Sequence, residues 1–322
     1  MSNYIVITSI SRPTQAVREF AALCGYHLVV AGDQKTPADW ECENVTFISA
    51  AQQQALAYPL TKTLPWNHYC RKMIGYIYAI RAGATVIVDT DDDNLPYENW
   101  TFPTFSGDFD VLQSNASFFN IYSLYTKRKV WPRGYPLELI CSEVSVQIDK
   151  SSTTVGVWQG LADDDPDVDA IYRLVFSELF KFEKRAPVVL SPGVYCPYNS
   201  QNTATRKELF ALLYLPATVT FRFTDILRGI VAQPIMNAAG FSLGFTEATV
   251  YQERNEHNLL ADFVSEIPCY TQIQDVINFV SSAISRRASV GDNLYNAYIS
   301  LEKNKIVTTD ELSILESWLQ SI

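Results

Sequence analysis

Residues 85–94 read Thr-Val-Ile-Val-Asp-Thr-Asp-Asp-Asp-Asn: a β-branched apolar run that ends in four carboxylates within five residues. Such a run predicts a strand buried on both faces, with the acids where it leaves its sheet. Along an extended chain Asp89, Asp91 and Asp93 project to one side and Asp92 to the other. Like charges so close cannot all stay ionised without compensation. A hard divalent cation, Mn²⁺ or Mg²⁺, is the simplest compensation, because it takes carboxylate and phosphate oxygens together. Ligands of open α/β sheets sit beyond the carboxyl ends of the strands, where this cluster falls. An apolar strand feeding straight into the acids favours a metal–phosphate site over a solvated acidic turn.

The cations that could face such a site lie just upstream. In residues 65–83, Asn67 is the expected N-cap and Gly83 the expected C′ residue of one helix. Ile74, Ile77 and Tyr78, with Ile80 or Arg81, form its inward stripe. Arg71 and Lys72 in the first turns oppose the helix dipole, a cost that an anion would offset. Two cations at a helix N-terminus make a diphosphate seat, and Gly75 would let a ligand or backbone come close. The alternative is a solvated basic turn.

The elements that must position these groups alternate in type. Tyr4–Ile10 reads as a strand, Ser11-Arg12-Pro13-Thr14 as a turn, and 15–24 as a helix ended by Gly25. Tyr26–Ala31 and Val45–Ile48 are further strands, with Gly32-Asp33-Gln34-Lys35-Thr36-Pro37 as the loop between them. This β-α-β order predicts an α/β, Rossmann-like, mostly parallel central sheet flanked by helices. Further on, 110–113 and 143–148 read as strands. A second acidic cluster, Asp163 to Asp169, holds five acids in seven residues and opens a helix over 170–182. Capping by Asp167 or Asp169 explains one or two of these acids, and the rest suit sugar hydroxyls, which gives Asp165, Asp167 and Asp169 a donor- or acceptor-sugar role. Residues 219–223 read as a strand that leads into a helix at Thr224. Asp225 at that junction suits a general base for an acceptor hydroxyl, or else supports the helix start or pairs with Arg228. The tail, 261–322, reads as a helical extension with helices over 271–287 and 308–320, packed on the 1–260 domain or mediating self-association. Thr308-x-x-Glu311 there fits a capping box.

Composition narrows the ligand. The 322 residues are 48% hydrophobic and 13% aromatic, enough for a large packed core. Lys+Arg 25 against Asp+Glu 35 gives −10, which argues against nucleic acid and leaves any phosphate to a few local cations and a metal. Six scattered cysteines contain no CxxC pair, so free thiols are expected. Residues 1–10 lack a signal-peptide pattern, and no run reaches the ~18 apolar residues of a membrane span. A cytoplasmic location without a transmembrane segment follows as an expectation.

The loop 32–37 with Asp39-Trp40, then Arg71-Lys72-x-x-Gly75-Tyr76-x-Tyr78-Ala79-Ile80 and Asp89–Asn94, resembles the STELLO-like family of glycosyltransferases. So do residues 160–174, Gln201-Asn202-Thr203 and Thr224-Asp225-Ile226-x-Arg228. The resemblance spans about residues 1–260 and implies a GT-A type fold whose DxD-like loop binds a divalent metal and a donor diphosphate. GT-A enzymes often complete the metal shell with a late histidine, which makes His257 the metal candidate that the resemblance implies, although a structural role is the favoured reading of that residue. The residues support the same chemistry independently: a sugar nucleotide needs its diphosphate neutralised as it leaves, and metal with Arg/Lys supplies this. Asp91 and Asp93 are assigned to metal, and Asp89 or Asp92 to ribose hydroxyls or metal-bound water. Lys35, Arg71 and Lys72 are assigned to phosphate, Asp33 and Trp40 to the nucleoside, and Arg12 to base or phosphate. The expected reaction moves a sugar from a nucleotide diphosphate sugar, UDP-sugar favoured, to a glycan or other hydroxyl-bearing acceptor. A sugar-nucleotide mutase or self-glycosylating protein, and a non-catalytic nucleotide-sugar-binding scaffold, are the alternatives. Asp89-x-Asp91 imitates a haloacid-dehalogenase-like phosphatase loop, but Asp93 and the strand's position break that pattern.

Overall fold

A computed structural model of the protein describes residues 2–176, 178–253 and 258–322. The apolar runs at the N-terminus form β1 (Asn3–Ser9), β2 (Tyr26–Gly32) and β3 (Val45–Ile48), with α1 (Gln15–Ala21) between the first two. Thr14 caps α1 by accepting from Val17 N, and Ser49 with Gln52 forms a capping box on α2 (Ala50–Ala55). A 3₁₀ turn, Tyr69–Arg71, leads into α3 (Lys72–Arg81), which returns the chain to β4 (Val86–Thr90). β1 pairs in parallel with both β2 and β4, and β2 with β3. All four carboxyl ends therefore meet one edge. Within β1, Ile5 and Ile7 enter one core cluster and Val6 the other, so both faces are covered.

Gly83 sits at φ +87° and ends α3, with the Ala84 N–H donating to Ala79 O at 3.0 Å. Asn67 is not the N-cap. It adopts φ +53°, its N–H is taken by Asp33, and the His68 side chain instead accepts from Cys70 N.

The remainder is not the mostly parallel sheet that the sequence suggests. β5 (Asn94–Pro96), β6 (Ser106–Ser114) and β7 (Val146–Asp163) follow one another without an α-helix between them. Next come α4 (Ala170–Val175), β8 (Val188–Leu190), β9 (Asn202–Arg206), α5 (Thr224–Ala238) and β10 (Ser242–Gln252). The described strands form one mixed sheet in the order β3-β2-β1-β4-β9-β7-β6-β8-β10-β5. β9 pairs antiparallel with β4 and β7, β6 with β7, and β10 with β8 and β5; β6–β8 and β7–β10 are parallel. The parallel half stops at β4 because its outer neighbour, β9, arrives from far along the chain, after β5 to β8, and runs antiparallel to it.

Three further expectations change. Residues 219–223 form a 3₁₀ turn (Phe221–Phe223) whose N–H of Arg222 goes to the Ser265 hydroxyl, not to a sheet. α4 stops at Val175 because Phe176 is already extended, although Asp169 caps it as expected. Thr308 makes no side-chain cap, because Glu311 is buried and instead accepts from Ala217 N at 3.0 Å and Thr218 N at 2.7 Å.

The tail forms α6 (Leu259–Thr271), α7 (Ile273–Ala283), α8 (Val290–Lys303) and α9 (Thr309–Leu319). α7 and α8 pack on α5, and the 260/261 boundary drawn from sequence falls inside the first turn of α6. Among the described residues no helix is long and apolar enough to cross a membrane, and all six cysteines are free.

Candidate functional site

A cavity of about 400 Å³ opens at the carboxyl ends of β1, β2 and β4. Its lining, among the described residues, sets six aspartates (Asp33, Asp91, Asp92, Asp93, Asp167, Asp225) against Lys35, Arg133 and Arg222. β4 ends at Thr90 and the chain turns through Asp92 and Asp93. The alternation expected of an extended strand therefore ends early: Asp91, Asp92 and Asp93 all reach the cavity, while Asp89 lies fully buried beneath it.

Asp89 is neutralised within the protein. Lys72 Nζ approaches Oδ1 at 2.5 Å, and Arg228 Nη1, from α5, approaches Oδ2 at 2.6 Å. Lys72 also pairs with Asp91 at 2.9 Å and donates to the Tyr69 hydroxyl at 3.0 Å. Burial works against the lysine's charge, but Asp89 and Asp91 overcome it and hold the ammonium above its usual range. Lys72 and Arg228 thus supply compensation that the sequence reading assigned to a metal, and Lys72 does not line the cavity as a phosphate ligand would.

Burial pushes the Asp91 carboxyl up to about 6, with Lys72 opposing and Asp93 and Asp89 adding to the rise. Its Oδ1 also accepts from the Tyr69 hydroxyl at 2.9 Å. Asp92 Oδ2 accepts from the Ser9 hydroxyl and Asp93 Oδ2 from Gln252 at 3.0 Å. Asp33 braces the loop before α3, accepting from the backbone of Asn67 at 2.9 Å and His68 at 3.2 Å. Lys35 is exposed, lines the cavity and makes no ion pair among the described residues.

The opposite wall is organised by Arg133. Its guanidinium takes Asp167 through Nε at 2.8 Å and Nη2 at 2.9 Å, and Asp225 through Nη1 and Nη2, both at 3.0 Å. Asn199 adds a bond to Asp167 at 2.8 Å. Burial alone would raise the Asp167 carboxyl, yet Arg133, with Arg222 and Asn199, holds it well below the usual range. Arg222 bonds Glu266 of α6 at 2.7 Å, and Glu266 also accepts from Ala170 N at 2.7 Å, so the tail braces this wall. Asp225 pairs with Arg133 and not with Arg228.

Several assigned residues lie elsewhere. Arg71 is buried away from the cavity: its Nε donates to Gln53 at 3.0 Å, and its guanidinium lies over the Trp66 ring at 3.7 Å. Trp40 stacks on Phe47 at 4.2 Å and donates to Ser11 O. Arg12 forms an exposed ion pair with Asp39 at 2.9 Å. A Cβ on Gly75 would fall 2.6 Å from Val6 Cγ1, so this glycine seats α3 on β1 and admits no ligand. Asp165 pairs with Arg173, and Asp169 accepts from Tyr172 N at 2.7 Å and Trp131 at 2.6 Å. His257 lies outside the described residues. The sequence reading missed Arg133, Tyr69 and Asn199. A single arginine within the aromatic stretch Trp131-Pro132-Arg133-Gly134-Tyr135 was a usable signal, since a buried guanidinium needs acids to meet it.

No family model matches the sequence. Alignment over 341 residues, covering 99% of the chain, gives 27% identity to a protein named "Probable glycosyltransferase STELLO1" of Arabidopsis thaliana. A second protein of that plant, "Probable glycosyltransferase STELLO2", is 25% identical over the same share. The chain is similar to these two proteins over essentially its whole length. The resemblance therefore takes in the tail helices as well as the 1–260 region that carries the quoted motifs. The chain spans 44% of the length of each of these relatives. Among its described residues no group of three or more His, Cys, Asp or Glu side chains is arranged to hold a metal ion.

Proposed function

We propose that this chain is a glycosyltransferase that takes its sugar from a nucleotide diphosphate sugar, UDP-sugar favoured, and passes it to an acceptor hydroxyl. The observation that carries the reading is the acid-lined cavity at the carboxyl ends of three parallel strands, in a chain similar to the two STELLO proteins throughout. A diphosphate could not enter that acid lining on Lys35 alone; a hard divalent cation resolves the conflict. Asp91 and Asp93 fit such an ion as a partial shell, because both are oxygen donors at the cavity and the diphosphate and water would supply the rest. When bound, Mn²⁺ or Mg²⁺ would neutralise charge developing on the leaving diphosphate.

The chain's own residues have separable tasks. Lys35 meets phosphate at the mouth as a point charge. Lys72, from below, fixes Asp91 and Tyr69 in place. Asp33 holds the Asn67–His68 loop against the donor side. Arg133 fixes Asp167 and Asp225 on the acceptor side, where carboxylate oxygens can orient sugar hydroxyls. Asp225 is the candidate base, and it would work only by exchanging an Arg133 contact for the acceptor hydroxyl.

One second reading has specific support: a nucleotide-sugar-binding module without turnover. Asp91 is already paired with Lys72, and both Asp167 and Asp225 are paired with Arg133. Incubating the protein with UDP-, GDP- and CMP-sugars and Mn²⁺, with and without EDTA, separates the two. Metal-dependent release of the nucleoside diphosphate supports the transferase. Thermal stabilisation by UDP without release supports the binding module, and neither response with any nucleotide refutes both.

A further inference from the structure

The turn that opens α5 brings an aromatic ring and a carboxylate to the same cavity. Phe221, Arg222 and Asp225 all line it, from the 3₁₀ turn Phe221–Phe223 and the first turn of the helix. Burial is uneven along that turn: Arg222 and Phe223 are buried, whereas Phe221 is 59% exposed. The turn itself is held firmly. Phe223 N donates to Thr220 O at 2.9 Å, the Thr220 hydroxyl to Ser265 O at 2.5 Å, and Arg222 N to the Ser265 hydroxyl at 3.2 Å. The Phe221 ring also meets the Tyr69 ring edge-on at 5.9 Å. The backbone is thus fixed while more than half of the ring is left for a ligand.

Groups that suit hydroxyls stand beside the ring. The Tyr69 hydroxyl bonds Ser200 at 2.5 Å, and the Ser200 hydroxyl reaches Asp225 Oδ2 at 3.4 Å, so two side chains lead from the ring to that carboxylate. Asp167 Oδ1 accepts from Arg133 Nε at 2.8 Å and can take a second bond from a ligand hydroxyl. A pyranose has the matching pair of surfaces. Its axial C–H groups form an apolar face that the electron-rich face of an aromatic ring attracts, and its hydroxyls project around the edge. Charge narrows the class further. Six aspartates against Lys35, Arg133 and Arg222 leave the lining negative, and Arg133 is already spent on Asp167 and Asp225. A carboxylated, sulfated or phosphorylated sugar would be repelled there.

We propose that the acceptor is a neutral pyranose that stacks its apolar face on Phe221 and directs its hydroxyls to Asp167 and Asp225. This rests on reading the cavity as a glycosyl-transfer site. Phe221 then determines specificity by selecting a sugar face, while the aspartates reject anionic sugars. Covering about half of the ring is worth about fivefold in affinity.

Ligand-observed NMR titrations with UDP and Mg²⁺ present, using methyl β-glucopyranoside and methyl β-galactopyranoside beside their uronic acid counterparts, test this. At least one neutral glycoside should bind, and its uronic counterpart should bind at least tenfold more weakly. Phe221→Ala should weaken the neutral glycoside about fivefold, whereas Phe221→Tyr, which keeps the ring, should stay within twofold of the parent. The side chain is exposed, so a thermal melt should be unchanged in both variants. Binding of neither glycoside, equal binding of the uronic form, or affinity indifferent to Phe221→Ala overturns the proposal. Calorimetry with UDP and Mg²⁺ is run in parallel on all three proteins. A loss of UDP affinity in Phe221→Ala without a loss of glycoside affinity also overturns the proposal and gives the ring to the nucleobase. Ring-dependent glycoside binding without UDP binding retains the sugar subsite and removes the transferase reading; UDP binding without the glycoside removes only the subsite.

Discussion

Replacing Arg228 by Met should remove a large share of the protein's stability without taking away a single cavity-lining side chain. Arg228 is buried; Nη1 meets Asp89 Oδ2 at 2.6 Å and Nη2 donates to Asn199 O at 3.1 Å. Without it, a fully buried carboxylate keeps only Lys72, which already serves Asp91 as well. Breaking a buried ion pair from one side costs about 3–5 kcal/mol. Because Lys72 remains at 2.5 Å and Met refills part of the space, the loss should sit near the low end, about 3 kcal/mol. Total stabilities of only ~5–15 kcal/mol make that a large fraction. Asp89→Asn in the same chain removes the orphaned charge, so the double variant should lose about 2 kcal/mol less than the sum of the two single losses. Urea unfolding followed by circular dichroism, with unchanged slope and shifted midpoint, reads both numbers. A loss below about 1 kcal/mol for Arg228→Met, or strict additivity in the double variant, would refute the claim that Arg228 and Lys72 neutralise Asp89 from within the fold.

Other expectations follow from neighbouring geometry. Lys35→Gln should weaken UDP binding by calorimetry about tenfold or more, since a charge-assisted phosphate contact is worth about 1.5–3 kcal/mol, with the melting temperature unchanged because the side chain is exposed. Gly75→Ala should destabilise by about 1–3 kcal/mol in chemical denaturation, because its Cβ would meet Val6 Cγ1 at 2.6 Å; a neutral result would mean that α3 can shift on β1. Burial pushes the Asp169 carboxyl up to about 6, with its bonds to Tyr172 N and Trp131 opposing. A raised folded-state value means that Asp169 favours folding when protonated, and that this contribution is lost as pH rises from about 4 through 6. Asp169→Ser keeps a capping oxygen and should therefore gain on the parent by roughly 2–3 kcal/mol between pH 4 and 7 in parallel urea titrations; a constant difference would refute the assignment.

What could be read from the chain alone was whatever depends on near neighbours. The apolar runs at 3–9, 26–32, 45–48 and 86–90 became strands, because side-chain alternation and β-branching act within a few residues. Gly83 ended α3 and Asp169 capped α4 for equally local reasons, a left-handed φ and a carboxylate three residues before an N–H. That Asp91, Asp92 and Asp93 would stand at a strand's carboxyl end followed from the same reasoning. Tertiary structure decided whatever turns on partners far along the chain. Arg71 and Lys72 are adjacent, yet one faces Gln53 and Trp66 while the other faces Asp89, because α3 packs on β1 and β2 in only one rotation. Arg133 meets acids 34 and 92 residues away, and Arg228 meets one 139 residues away. The antiparallel half of the sheet and the place of α6 against the cavity wall likewise rest on contacts between distant segments. Periodicity registers which face of an element is apolar, but a buried charge is satisfied only by the particular partner that the fold brings to it.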